Sequence, residues 1–169
     1  MRIRGTDRAR WRQVPAGVRD QTADEVAARR RLEGRLLEVF ARWGYAEVAT
    51  PTLEYLDTLE RGAGPGIDDR LLKLVDSGGE VLTLRPEMTV PLARLAATRL
   101  LPAGGGPLRL AYVATVFRGQ ERGSGRLREF TQAGVELIGE AGALADVEVI
   151  ALAGEALLAA GIDRPAISV

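Results

Sequence analysis

Residues 117–139, which run FRGQERGSGRLREFTQAGVELIG, decide the fold prediction for this chain. The stretch begins at the end of one strand, passes through a loop rich in glycine and arginine, and returns as a second strand. Side chains alternate between the two faces of a strand, so Gln132, Gly134 and Glu136 share one face. A glycine between two polar residues is expected to leave space for a ligand on the sheet.

The loop of this hairpin carries an unusual number of arginines. Arg118 follows the first strand, and Arg122, Arg126 and Arg128 come after it. A guanidinium group is a planar fork of donors that binds carboxylate or phosphate in a bidentate way. The pattern therefore predicts anion contacts from Arg122, Arg126 and Arg128. The alternative interpretation is a solvated basic loop.

Composition limits the classes of function. The chain has 169 residues, a formal net charge of zero, no cysteine and no histidine. Zero net charge gives no indication of nucleic-acid or membrane binding. The missing residue types exclude disulfides, thiolate or imidazole metal sites and catalysis by cysteine or histidine. Without a signal peptide or an apolar run of about 20 residues, we expect a cytoplasmic protein with no membrane span, no metal and no cofactor.

Hydrophobic periodicity predicts a single α+β core domain over residues 15–169, preceded by an N-terminal arm over residues 1–14. The absence of a repeating strand–helix alternation favours an antiparallel sheet flanked by helices. Thr22 and Gly44 are the predicted start and stop signals of the first long helix. The predicted elements are a helix over 22–43, a strand over 45–49, a loop over 61–69, hairpin strands over 71–75 and 81–84, a helix over 89–101, strands over 108–117 and 128–138, and a helix over 144–160. A further strand beginning at 165–169 makes us expect a core that is incomplete at its C-terminus.

The residues after the second hairpin strand add to the candidate site. Glu87 and Thr89 follow a strand and open a helix, where backbone N–H groups are free to meet a ligand. Glu87 and Glu136 suit an amine or an imidazole, and Arg118 suits a carboxylate or phosphate. Together they suit a small zwitterion such as an amino acid. The alternative interpretations make Glu87 a simple helix N-terminal charge with Thr89 as the cap, and make Gln132 and Glu136 solvent-facing residues.

Four segments resemble the core of class II aminoacyl-tRNA synthetases, and specifically the histidyl-tRNA synthetase-like group. Residues 44–51 resemble the group's motif 1, and residues 117–130 resemble its motif 2. Pro15-x-Gly17-x-x-Asp20 and the run LRPEMT at residues 84–89 also match the group. The resemblance implies a class II synthetase-like fold over nearly the whole chain.

The resemblance also implies roles for individual residues. Motif 1 forms a dimer interface, which implies a homodimer through Gly44, Tyr45 and Pro51. The residues at the positions that hold histidine in the synthetases are Glu87, Thr89, Arg118, Gln132 and Glu136. Histidine is therefore the implied ligand.

The group has two main branches, the synthetases and the regulatory subunits of ATP phosphoribosyltransferase. The runs at residues 84–100, 117–126, 129–140 and 145–153 are similar to the regulatory branch. Synthetases usually carry an acid where this chain has Gln120, and Glu121 would point to the opposite side of an extended strand. A neutral amide at this position weakens the geometry that forms an adenylate but leaves the pocket.

The resemblance therefore implies a regulatory, non-catalytic subunit with no catalytic residue of its own. Such a subunit would activate the catalytic short-form ATP phosphoribosyltransferase in a hetero-oligomer and mediate histidine feedback in the first step of histidine biosynthesis, with no role for tRNA. One alternative hypothesis is a fragment of a histidyl-tRNA synthetase catalytic core. Another is a class II-like dimerisation scaffold that binds no ligand.

Overall fold

The computed structural model describes residues 12–63, 71–104, 106–120, 125–166 and 168. Most of the predicted arm over residues 1–14 lies outside these ranges, as does Arg122. Helices and strands alternate irregularly along the described chain, as expected for an α+β fold. The elements are α1 (Ala23–Arg42), β1 (Ala46–Glu47), β2 (Leu53–Tyr55), α2 (Leu56–Ala63), β3 (Leu72–Val75), β4 (Val81–Leu84), α3 (Thr89–Leu95), β5 (Leu108–Phe117), β6 (Glu129–Ile138) and α4 (Ala143–Ala159).

Helix α1 begins and ends where the sequence predicts. The Thr22 backbone N–H donates to Glu25 Oε2 at 2.8 Å, and the Glu25 N–H donates to the Thr22 hydroxyl at 3.4 Å, which forms a capping box. The Thr22 backbone N–H and the Thr22 hydroxyl, which both donate to the Glu25 carboxylate, lower the pKa of Glu25. Gly44 follows the helix with a φ of +81°, a conformation that glycine adopts without strain. The prediction of a helix over residues 22–43 is confirmed.

The first sheet has the strand order β1–β5–β6. Strands β5 and β6 pair antiparallel over their whole length, from Leu108 opposite Ile138 to Phe117 opposite Glu129, and this pair is confirmed. Strand β1 pairs parallel to β5. The prediction of a purely antiparallel sheet is wrong at this point, because the chain leaves β1, builds the second sheet and α3, and re-enters β5 in the same direction.

The second sheet is antiparallel with the order β2–β4–β3. Its β3–β4 hairpin is confirmed, and Asp76 Oδ1 accepts the N–H groups of Gly78 and Glu80 in the turn. Strand β2 and helix α2 were not predicted. The predicted loop over residues 61–69 is wrong for residues 61–63, which are the last residues of α2.

Helices cover the two faces of the β5–β6 pair, and each face belongs to a separate hydrophobic core. One core lies against α1 and α4, and its members are Val39, Phe40, Tyr45, Ala111, Leu152 and Ala156. The other lies against α3, and its members are Met88, Leu92, Leu110, Tyr112 and Val116. The outer face of the second sheet stays exposed at Leu53, Tyr55 and Leu74.

The remaining elements largely follow the predictions. Helix α3 continues into a π-helical turn, Ala96–Leu100, and the two together agree with the predicted helix over 89–101. Helix α4 agrees with the predicted helix over 144–160. Pro165, Ala166 and Ser168 lie in no strand, so the predicted final strand is wrong at these three residues. Across the described ranges, no helix combines the length and apolarity needed to cross a membrane.

Candidate functional site

Strand β6 presents Gln132, Gly134 and Glu136 on one face, as predicted. Tyr112 of β5 lies directly opposite Gly134. A Cβ atom added to Gly134 would lie 2.6 Å from the Tyr112 hydroxyl oxygen and 2.8 Å from its ring. The expectation that Gly134 leaves space for a ligand is therefore wrong, because the Tyr112 side chain fills that space.

Glu136 is linked to the start of α3. The Thr89 hydroxyl donates to Glu136 Oε1 at 2.7 Å. Burial is the main cause that raises the pKa of Glu136; the Thr89 hydrogen bond lowers the pKa, and the nearby charge of Glu87 raises it. Two carboxylates and a hydroxyl thus lie close enough to influence one another, which is contrary to the interpretation of Glu136 as a solvent-facing residue.

Glu87 caps helix α3. Its Oε2 accepts the Thr89 N–H at 2.5 Å, and its Oε1 accepts the Val90 N–H at 3.0 Å. Met88 occupies the N-cap position and makes no side-chain cap hydrogen bond. The interpretation of Thr89 as the cap is wrong, because the longer side chain of Glu87 reaches the free N–H groups of the first turn, whereas the Thr89 hydroxyl turns towards Glu136.

Gln132 carries a buried acceptor within the pocket. Its Nε2 donates to the Tyr112 hydroxyl at 3.0 Å. Among the described residues, its Oε1 is buried and has no hydrogen-bond partner. Burial and the charge of Glu136 raise the pKa of Tyr112, so this hydroxyl stays protonated at neutral pH. Buried acceptors without a donor are costly, and the Oε1 atom of Gln132 is therefore where a ligand N–H would be most stabilised.

Arg118 is held at the far end of the same face. Its Nε donates to the Pro86 carbonyl oxygen at 2.8 Å, and its guanidinium carbon lies 5.2 Å from the centre of the Phe130 ring. A cation at this distance from an aromatic face is weakly attracted to it. These contacts fix the position of the guanidinium group beside the turn that carries Glu87.

The loop arginines differ in their surroundings. Arg128 Nη2 donates to the Gln120 carbonyl oxygen at 2.9 Å, and the Arg118 N–H donates to the Arg128 carbonyl oxygen at 2.8 Å. Arg128 therefore closes the base of the loop. Arg126 is exposed, and Arg122 lies outside the described residues. Gln120 follows the end of β5, and Glu121 lies outside the described residues, so the predicted orientation of Glu121 stays a prediction.

The Gly17 turn packs against this loop, a contact that sequence reasoning missed. The Arg128 N–H donates to the Gly17 carbonyl oxygen at 2.6 Å. A Cβ atom on Gly17, whose φ is +82°, would lie 2.7 Å from the Arg128 side chain. The Pro15-x-Gly17-x-x-Asp20 pattern thus has a structural reason, because only glycine fits against the base of the loop.

The motif 1-like segment is divided between core and surface. Tyr45 is buried, and its hydroxyl donates to Glu148 Oε1 at 2.9 Å. Burial, together with the neighbouring Glu148 carboxylate, raises the pKa of Tyr45 to about 12. Arg109 makes a bidentate pair with the same Glu148. Gly44 and Pro51 are exposed.

The structure thus brings all five predicted pocket residues to one side of the β5–β6 pair, and it adds Tyr112 and Pro86, which sequence reasoning missed. The sequence feature that could have identified Tyr112 is its register in the β5–β6 pair, directly opposite Gly134.

Within the described residues, no group of three or more acidic, histidine or cysteine side chains is placed to hold a metal ion. The site offers acceptors from Glu87, Gln132 and Glu136, and the Arg118 guanidinium beside the turn that carries Glu87. Such an arrangement can bind a ligand that has both N–H donors and an acidic group.

Comparison with known proteins agrees with the predicted fold. The protein family described as Histidyl-tRNA synthetase matches residues 17–169. A solved structure described as an ATP phosphoribosyltransferase regulatory subunit/histidyl-tRNA synthetase from Bacillus halodurans has a TM-score of 0.80 and 42% identity, covering 88% of this chain and 38% of that chain. Apo histidyl-tRNA synthetase of S. aureus has a TM-score of 0.72 and 27% identity, covering 86% of this chain and 34% of that chain.

Curated relatives favour one branch of this family. The ATP phosphoribosyltransferase regulatory subunit of Moorella thermoacetica is 54% identical over 89% of this chain, and that of Bacillus subtilis is 46% identical over 88%. The chain spans 39% and 37% of the length of these two relatives. The predicted class II synthetase-like α+β fold is confirmed. The chain belongs to the histidyl-tRNA synthetase family, and its similarity to the regulatory subunits confirms the predicted branch.

Proposed function

We propose that this chain belongs to a regulatory, non-catalytic subunit that activates the short-form ATP phosphoribosyltransferase and mediates histidine feedback in the first step of histidine biosynthesis. The name shared by its curated relatives supports this proposal. The partner subunit would carry the catalytic step. Feedback of this kind is a coupling free energy between the histidine site and the partner's active site, and it must be reciprocal.

The observation that carries the proposal is the buried Oε1 of Gln132, which has no partner among the described residues and lies on the strand face that also carries Glu136. The ammonium and imidazole groups of histidine supply N–H donors that suit this amide oxygen and the carboxylates of Glu87 and Glu136. The carboxylate of the ligand suits Arg118. We therefore assign Glu87, Thr89, Arg118, Gln132 and Glu136 to the histidine pocket, with Arg126 and Arg128 as anion contacts.

One feature supports binding without adenylate chemistry. Gln120 stands where synthetases usually have an acid, and its carbonyl oxygen is held by Arg128. A neutral side chain cannot provide the charge that helps to position ATP. The same pocket without the adenylate step would serve a sensor of histidine concentration.

The test uses the full-length protein. Calorimetry should show saturable histidine binding that glutamine does not reproduce, and Glu136→Ala should weaken histidine inhibition of the assembled enzyme while the subunits still assemble. The protein should also co-purify with a short-form phosphoribosyltransferase. Histidine inhibition that is unchanged in Glu136→Ala would place the effector at another site.

The second candidate function is that of a histidyl-tRNA synthetase core. The likeness to the S. aureus synthetase favours it, because the two proteins share a fold over 86% of this chain. Histidine-dependent exchange of pyrophosphate into ATP distinguishes the two functions. Exchange above background would support the synthetase, and its absence together with histidine binding would support the regulatory subunit.

A homodimer through the motif 1-like segment is the remaining part of the proposal. Because the Tyr45 side chain is buried within its own chain, the contact would use the exposed surfaces at Gly44 and Pro51. A symmetric interface of this kind is the commonest arrangement of homo-oligomers.

A further inference from the structure

Arg85 is a buried arginine that lies between β4 and the pocket. Its exposed fraction is 7%. Its Nε donates to the Thr115 carbonyl oxygen at 2.9 Å, and its Nη1 donates to the Thr50 carbonyl oxygen at 2.7 Å. The guanidinium group thus joins strand β5 to the motif 1-like segment.

The backbone of Arg85 joins β5 to Thr52, the residue directly after the motif 1-like segment. Its N–H donates to the Thr52 carbonyl oxygen at 2.9 Å, and its carbonyl oxygen accepts the Phe117 N–H at 2.9 Å. Phe117 is the last residue of β5 and directly precedes Arg118. One residue therefore holds the end of β5 against the turn that leads to Glu87.

The chemistry of arginine explains why this residue type suits the position. Burial lowers the pKa of Arg85, and the charge of Glu54 raises it. Burying a cation is costly, and here the cost is offset by several hydrogen bonds to carbonyl oxygens. The rigid guanidinium fork donates from Nε and Nη1 in different directions, whereas a lysine ammonium donates from a single atom.

We propose that Arg85 is a positioning residue of the candidate site, because it fixes Arg118 and Glu87 relative to each other and to the Thr50–Thr52 segment. Arg118 follows the strand end that Arg85 binds, and its Nε donates to Pro86, the residue next to Arg85. Glu87 comes one residue later and caps α3. Binding groups at the two ends of a small ligand must be held to within about 0.5 Å, and supporting hydrogen bonds provide this accuracy.

The positioning role of Arg85 rests on the proposed function in one respect only, which is the choice of histidine as the ligand. The test compares wild-type full-length protein with Arg85→Lys, which keeps the charge but cannot span the two carbonyl oxygens. Arg109→Lys is the matched control, because Arg109 bridges β5 and α4 on the opposite face through Glu148. Arg85→Met, which keeps most of the volume, replaces Arg85→Lys if the latter does not fold.

Two readouts are measured at a temperature well below the unfolding midpoint of each variant. The first is the histidine dissociation constant, which should rise roughly tenfold or more in Arg85→Lys, as is typical when supporting hydrogen bonds around a site are lost. The second is amide hydrogen exchange at Phe117 and over residues 89–92, which should become faster. Arg109→Lys should change neither, even if its unfolding midpoint falls.

The outcomes separate this inference from the proposed function. Unchanged histidine affinity and unchanged exchange in Arg85→Lys would overturn the positioning role. If wild-type protein does not bind histidine, the proposed function fails, and the exchange readout still decides the inference. Faster exchange at Phe117 and over residues 89–92 in the Arg85 variant alone would then support the positioning role of Arg85. Equal exchange in the Arg85 variant and in Arg109→Lys would overturn it.

Discussion

The Thr89 hydroxyl donates to the Glu136 carboxylate at 2.7 Å and so connects the first turn of α3 to strand β6. In the same turn, Glu87 accepts the backbone N–H groups of Thr89 and Val90. Both carboxylates of the candidate site are therefore occupied by groups of the protein itself. A ligand that approaches them has to compete with a hydroxyl and with a helix N-terminus.

The stability of the protein should depend on pH through Glu136. Its raised pKa means that the folded state binds the proton more tightly than the unfolded chain does. The stabilisation that this tighter proton binding provides is fully present below the pKa of Glu136 in the unfolded chain, about 4.3. It is lost as the pH rises through the pKa of Glu136 in the folded protein. Glu136→Gln should therefore raise the unfolding midpoint at about pH 8 and have a smaller effect at about pH 4.

Thermal unfolding over this pH range checks the prediction. Glu129→Gln, at an exposed position of the same strand, is the control for removing one carboxylate from β6. If Glu136→Gln lowers the midpoint at both pH values, the burial of the charged carboxylate is not what limits stability.

Removing the helix cap should destabilise the protein. Glu87→Ala leaves the Thr89 and Val90 N–H groups without their acceptor, and the loss of a cap typically costs about 1 kcal/mol. Glu60→Ala, at an exposed position of α2, should change the free energy of unfolding by less than about 0.5 kcal/mol. Chemical denaturation measures both variants. Equal effects would contradict the capping role of Glu87.

Two glycines should respond to alanine in opposite directions. A methyl group at Gly134 would collide with Tyr112, and overpacking of this kind costs about 1–3 kcal/mol. Gly34 lies within α1 and has no atom within 4 Å of an added Cβ, so Gly34→Ala should stabilise the protein by about 0.5–1 kcal/mol. Urea unfolding of the two variants checks both signs, and a neutral Gly134→Ala would mean that Tyr112 moves away freely.

The proposed homodimer should depend on the surface of the motif 1-like segment and not on the Tyr45 hydroxyl. Pro51→Glu places a charge on an exposed position and should weaken dimerisation by about tenfold or more, because like charges would meet across a symmetric interface. Tyr45→Phe removes only a hydroxyl that bonds to Glu148 inside the chain. Sedimentation measures both dissociation constants, and a dimer that tolerates Pro51→Glu would place the interface elsewhere.

Local sequence signals predicted the elements that depend on local interactions. Helix α1 could be predicted because Thr22 and Glu25 form their capping box within one turn. The β3–β4 hairpin could be predicted because Asp76 and Gly79 build the turn by themselves. Strands β5 and β6 follow from a long apolar run and the register that their faces require.

Interactions between segments that are far apart along the chain could not be predicted from the sequence. Strand β2 has only three residues and exists through its pairing with β4. The parallel pairing of β1 depends on the path of the whole chain between Glu47 and Leu108. The position of the Tyr112 side chain over Gly134 is a cross-strand contact. The cap of α3 is Glu87 and was assigned to Thr89, because both residues have suitable oxygen atoms.

The two-sided packing of the β5–β6 pair has an evolutionary consequence. A slip of one residue would exchange Gln132 and Glu136 with Ala133 and Val135, which pack against the helices of the other face. A single insertion or deletion within either strand would therefore damage both cores and the pocket in one step. The β5–β6 register ends where Phe117 lies opposite Glu129, so changes of length among descendants should accumulate between these two residues and be eliminated from the strands.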